Sequence, residues 1–177
     1  MPVSNCLHKA ALWLAACAAA VGIVTPSTAA TGQKSWTGIW EGNLQNFPVR
    51  AAAPVVSVRR EIGAWPQKDG ECAAFRTIYS EGGVEKGRKD YKLCRTADAN
   101  DYVVDEGGGV TLKARMLDDT LVSTFKYGSI LLVSVIRVRG KEMTEEIFTA
   151  ADQPANDAVV TMDTRSMQRL TLRRVRK

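Results

Sequence analysis

Histidine is almost missing from this chain: among 177 residues there is one, His8. Cysteine is scarce as well, with four in all: Cys6, Cys17, Cys72 and Cys94. His8, Cys6 and Cys17 fall in a leading segment that reads as a secretory signal. Met1 to Lys9 is short and ends basic, Ala10 to Val24 is an apolar run, and Pro26-Ser-Thr-Ala-Ala30 is a small-residue cleavage region. Cleavage near Ala30 leaves a mature chain, starting near Thr31, with no imidazole and two cysteines. In an oxidising compartment Cys72 and Cys94 are expected to pair. The usual general base, the usual metal ligand and the thiol nucleophile are then all missing, so no metal site and no cofactor are expected.

A strong excess of one charge is also lacking. Lys9 is the only Lys, Arg, Asp or Glu in residues 1–30, so 24 basic residues fall to 23 against 19 acidic, a net +4. The charges are mixed along the chain, without the concentrated basic face and stacking aromatics of a nucleic-acid binder. After residue 30 no apolar run is long enough to span a bilayer as a helix. Membrane attachment has one other route. Leu14-Ala-Ala-Cys17 matches a bacterial lipobox, in which Cys17 would be acylated and become the first residue. The apolar run continues through Val21, Ile23 and Val24 to a conventional cut site, which favours secretion without an anchor.

A helical period is absent too. From Thr31 onward the pattern alternates with period two, broken roughly every eight to twelve residues by Gly or Asp. Residues 31–177 therefore read as a single all-β domain. Register supplies the check, because neighbouring strands must place compatible side chains on one face. A hairpin centred on Gly82-Gly83 sets Cys72 opposite Cys94, each eleven residues from Gly83. The same register sets Arg76 against Asp90 and, on the other face, Phe75 against Tyr91 and Ala73 against Leu93.

Later turns continue the scheme. Asp118-Asp119 as a two-residue turn puts Met116 by Leu121, Ala114 by Ser123 and Leu112 by Phe125. Gly128-Ser129, a Gly-first turn, puts Tyr127 by Ile130, Phe125 by Leu132, Ser123 by Ser134 and Leu121 by Ile136. The turn at Gly140 brings Met143, Glu145 and Ile147 to that face. Working back, Val104 meets Leu112 and Leu93 meets Val104. With strands near Trp36–Leu44, Val55–Ile62 and Met167–Val175 the total is about ten, suited to a closed antiparallel up-and-down barrel with one disulfide.

Two consequences bear on function. Tyr79, Tyr91, Tyr102 and Tyr127 fall on the inner face with Ser123, Phe125, Ser134 and Glu145. They form either a packed core, with Glu145 at a wet rim, or a pocket of aromatics with a few convergent polar groups. On the outer face Val122, Leu131, Val133, Val135 and Phe148 make a contiguous apolar patch. The Ala150–Thr164 stretch, a second copy of the chain or an envelope protein could cover it. The prolines Pro48, Pro54 and Pro66 bracket the second strand, and Trp65 is expected in a loop overhanging the mouth.

The segment Trp36-Thr-Gly38-Ile-Trp40-Glu-Gly42 resembles the opening signature of the calycin superfamily, the lipocalins and their barrel relatives. The resemblance implies that Trp40 closes the bottom of the barrel and that a basic residue of the last strand packs across it. Arg174, which shares parity with Leu170 and Leu172, is the candidate. It also implies a carrier of small apolar or amphipathic molecules. Nitrobindin-like barrels begin similarly and hold haem through histidine, which the mature chain lacks. Three functions follow in order: a secreted or periplasmic non-catalytic carrier; an envelope interaction module of inhibitor or assembly type, with a filled barrel; and an isomerase or cyclase using Glu145 and a tyrosine as acid and base.

Overall fold

A computed structural model describes residues 35–151 and 161–176. The secretory signal of residues 1–30, its cut near Ala30 and the anchor at Cys17 lie outside the described residues, as does most of the stretch expected to cover the outer patch. Ten strands follow one another: β1 (Gly38–Phe47), β2 (Val56–Ile62), β3 (Cys72–Glu81), β4 (Val84–Arg95), β5 (Asp101–Gly107), β6 (Val110–Leu117), β7 (Thr120–Tyr127), β8 (Ile130–Arg139), β9 (Glu142–Ala151) and β10 (Asp163–Arg174). Each pairs with the next in sequence and β1 pairs antiparallel with β10, so the sheet is a closed up-and-down barrel. Closure leaves no free sheet edge. Among the described residues no helix is long and apolar enough to cross a membrane.

The hairpins are set by their turn residues. Gly82 and Gly83 both have positive φ, 56° and 80°, which suits the tight primed turn that twisted strands require. A bulge between Tyr79 and Ser80 then shifts the β3–β4 register by one, and the shifted register places Cys72 opposite Cys94, Phe75 opposite Tyr91 and Arg76 opposite Asp90. Cys72 and Cys94 are disulfide-bonded. Their sequence separation of 22 residues implies a loop-closure contribution of about 3 kcal/mol. Replacing both cysteines by alanine is expected to lower stability by about that amount, read as a lower urea midpoint, with a steeper slope because the uncrosslinked chain unfolds further. On the outer surface Glu41, Arg59, Glu61, Arg76 and Asp90 form an alternating chain of ion pairs across β1 to β4. Such exposed pairs contribute little singly.

One end of the barrel is filled. Trp36, Trp40, Trp65 and Tyr102 are almost fully buried there with Leu93, Met143, Leu170 and Leu172. The rings of Trp36 and Trp65 lie 5.2 Å apart and those of Trp65 and Tyr102 5.4 Å apart, in tilted and edge-on contacts. The polar handles are satisfied inside this floor: Trp40 Nε1 donates to the Trp36 carbonyl at 2.9 Å and Trp65 Nε1 to the Tyr102 hydroxyl at 3.2 Å. Arg174 stacks over the Trp40 ring at 4.3 Å and donates to the Thr37 carbonyl. Gly38 has φ 140°, and a Cβ there would lie 2.8 Å from Arg174 Nη1. The Gly-x-Trp segment therefore makes room for the arginine that covers its own tryptophan. Trp65, expected over the mouth, instead belongs to this floor. The β2–β3 connection that carries it runs past the closed end, whereas the β1–β2 loop holding Pro48 and Pro54 is at the opposite end.

Candidate functional site

Above the floor the interior is not filled. A cavity of about 170 Å³ occupies the other half of the barrel. Its wall is largely aliphatic and aromatic, with Phe75, Leu112, Phe125, Leu132, Ile136 and Ile147 among the lining residues. The space is enough for several waters or for part of a small organic molecule.

The polar part of the wall is concentrated at one place. On β2, alternation turns Val58, Arg60 and Ile62 inward, and all three are buried, while Arg59 and Glu61 face out. Thr77 stands beside Arg60 in the β2–β3 ladder. From β2 the Arg60 side chain crosses the interior to Glu145 on β9, Nη2 to Oε2 at 2.7 Å. Arg60 is 3% exposed and Glu145 6%. Arg60 Nε also donates to Thr77 Oγ1 at 3.1 Å, and Ser134 Oγ donates to the other Glu145 oxygen at 3.0 Å. The Phe75 ring lies under the guanidinium at 5.2 Å. Burying two charges is costly, and only mutual pairing with further hydrogen bonds makes it tolerable.

Two phenols stand higher on the wall. Burial, the first cause, raises the Tyr79 pKa; the Glu145 charge adds to the rise and Arg60 opposes it. Burial and the neighbouring Glu106 carboxylate push Tyr91 up to about 12. Both therefore stay protonated at neutral pH and offer O–H donors. Lys89, exposed at the mouth, sits 5.9 Å from the Tyr79 ring and 5.8 Å from that of Tyr91.

The barrel is loosest around this half. The β4–β5 ladder runs only from Lys92–Asp105 to Arg95–Tyr102, and the β6–β7 ladder only from Ala114–Ser123 to Leu117–Thr120. The tip of the β5–β6 hairpin is thus tied by ladder pairs to neither neighbour. Leu112 and Phe125, expected to pair, lie beyond the end of their ladder, and both face the cavity.

Six of the eight residues expected to share a pocket do line one cavity: Tyr79, Tyr91, Ser123, Phe125, Ser134 and Glu145. Tyr102 does not, because it is 1% exposed inside the tryptophan floor. Tyr127 does not either; it sits at the β7–β8 turn and is 79% exposed. Glu145 is deep within the barrel and not at a wet rim. Arg60, Thr77 and Glu106 also line the cavity, which the sequence pattern does not predict. A partial signal for Arg60 is present, since it shares parity with Val58 and Ile62 and faces Trp40 across the β1–β2 ladder. On the outer face Val122 pairs with Val135 and Val133 with Phe148, so the patch is contiguous, and each of these residues is half-buried. Among the described residues no group of three or more His, Cys, Asp or Glu is placed to hold a metal ion.

No family model and no curated protein matches this chain. Among solved structures, the S-type phycobiliprotein lyase CPES from Guillardia theta is similar, with a TM-score of 0.52 and 11% sequence identity. The likeness covers 86% of this chain and 99% of that one. At that identity it shows a common fold.

Proposed function

We propose that this chain is a secreted, calycin-type barrel that holds a small, mainly apolar molecule without acting on it chemically. The observation that carries this is the cavity itself: a barrel filled at one end by tryptophans and left open in its other half, with an apolar wall and one buried polar cluster. A protein selected for stability alone would gain by filling that space. The Gly38-Ile39-Trp40 segment with Arg174 stacked on its tryptophan supports the calycin-type assignment. Glu145 is committed to Arg60 and Ser134, which favours a binding site over an acid–base centre. The segment ahead of Thr31 supports export, with loss of that segment at Ala30 as the first route and acylation of Cys17 as the second.

The contiguous outer patch of Val122, Val133, Val135 and Phe148 supports a second reading, in which a copy of the chain or an envelope protein sits on β7 to β9.

Native mass spectrometry of the protein purified from its own periplasm tests both. The carrier reading expects a bound mass of a few hundred daltons at most, in keeping with the cavity, lost on denaturation. A bare polypeptide mass as a dimer would favour the second reading instead. The denatured mass fixes the N-terminus in the same run, whether Thr31 or an acylated Cys17.

A further inference from the structure

Arg60 has one more hydrogen-bonding group than its neighbours use. Its Nε is taken by Thr77 and its Nη2 by Glu145, but Nη1 is buried with no partner among the described residues. An unmet donor on a charged group is expensive away from water. Arg60 is 97% removed from solvent and lines the cavity, so whatever occupies the cavity is the natural source of an acceptor.

Charge decides what kind of acceptor fits. The cavity wall carries two cations, Arg60 and Lys89, and two anions, Glu106 and Glu145. Lys89 is exposed at the mouth with Tyr79 and Tyr91, and Glu106 faces Tyr91. Among the described residues lining the cavity, Arg60 and Glu145 are the charged pair that lies deep, and they already neutralise each other. An anionic headgroup brought to Nη1 would set a second negative charge near Glu145 with no further cation to balance it, in surroundings that screen poorly. A neutral oxygen meets the unmet donor and leaves the pair intact.

We propose that the cavity takes a neutral, mainly hydrocarbon molecule bearing one acceptor oxygen (a ketone, ester or alcohol) and that Arg60 Nη1 donates to that oxygen. This rests on the binding-barrel reading above. The oxygen lies deep, beside Arg60, and the hydrocarbon runs along Phe125, Leu132 and Ile147 toward the mouth.

Displacement of the neutral fluorophore N-phenyl-1-naphthylamine tests it, with four ten-carbon competitors at pH 8: decan-2-one, decan-1-ol, decanoate and decane. The ketone and the alcohol are expected to bind roughly tenfold more tightly than decane and decanoate, the worth of one hydrogen bond from a charged donor. Arg60→Met combined with Glu145→Met should abolish that preference, so that ketone, alcohol and decane compete alike. Arg60→Lys keeps a cation opposite Glu145 but replaces the two-pronged fork by a single ammonium drawn to the carboxylate, away from the place of Nη1; it should weaken the preference and covers the case in which the double variant does not fold. Should the fluorophore bind the parent protein but decanoate compete best, or ketone and decane compete equally, the neutral-oxygen proposal is wrong and the carrier reading stands. If the fluorophore does not bind and native mass spectrometry finds no bound mass with any of the four ten-carbon compounds added, both are wrong.

Discussion

Arg60→Met should lower the free energy of unfolding by about 3–5 kcal/mol, Glu145→Met by a similar amount, and the two together by less than about 1 kcal/mol. The asymmetry follows from burial. The two side chains are 4% and 8% exposed and meet at 2.7 Å. Removing either leaves the other as an uncompensated charge, with only Thr77 or Ser134 to solvate it. Removing both replaces two desolvated ions by two flexible apolar chains of similar length, in an interior whose other walls are Phe75, Ile136 and Ile147. The parent also carries the unmet Nη1 donor, a cost that the double variant no longer has. Urea unfolding of the four proteins closes a double-mutant cycle with an expected coupling of several kcal/mol. Single variants within about 1 kcal/mol of the parent would mean that water reaches the pair, and the site would then be a solvated rim and not a buried cluster.

How much of this could be read from the chain follows from what alternation encodes. Register is legible where the turns are explicit: Asp118-Asp119 and Gly128-Ser129 fix which residues stand opposite, the Ser123–Ser134 pair among them, while in the Gly82-Gly83 hairpin the disulfide and the Arg76–Asp90 pair need the one-residue bulge after Tyr79 as well. Which face a residue takes was legible for the same reason. Height along the barrel was not. Depth depends on how strands are staggered around the closed sheet, a property of all ten together. Alternation therefore gives Tyr102, Tyr127 and Glu145 a side of the sheet but no level, and a wet rim for Glu145 does not follow from it. Tyr102 went to the floor, Tyr127 to the rim and Glu145 to the middle. Arg60 is hidden in the sequence for another reason. A charged residue in a short strand is usually solvated, and only the partner across the lumen, 85 residues away in sequence, makes its inward position tolerable. The early end of the β6–β7 ladder, which separates Leu112 from Phe125, had no turn signal to mark it.

A single-residue effect of the same order is expected at Gly42. Gly42→Ala should destabilise the barrel by at least about 3 kcal/mol, above the ordinary range for overpacking because nothing nearby can rotate away. A Cβ at this position would stand 1.9 Å from the Thr171 carbonyl oxygen, 2.9 Å from its carbonyl carbon and 3.0 Å from the Leu172 Cα. All three are backbone atoms of β10, the strand that closes the sheet against β1. Glycine inside a strand commonly marks such an approach of one backbone to another. Here β2 and β10, which flank β1, also come near each other. Relief would require β1 and β10 to separate, and that seam carries Trp40 opposite Arg174 and Leu44 opposite Leu170. Gly87→Ala is the control. It lies in β4 with open space where its Cβ would go, and its φ is not positive, so the substitution should move stability by under about 1 kcal/mol in either direction. Chemical denaturation of both variants gives the comparison. Equal midpoints would rule out closure in this register, since the clash exists only if Gly42 faces Leu172. A collapse confined to Gly42→Ala, with loss of fluorophore binding, would tie the cavity to the closed seam: the space above the tryptophan floor exists because β1 and β10 meet there without a side chain between them.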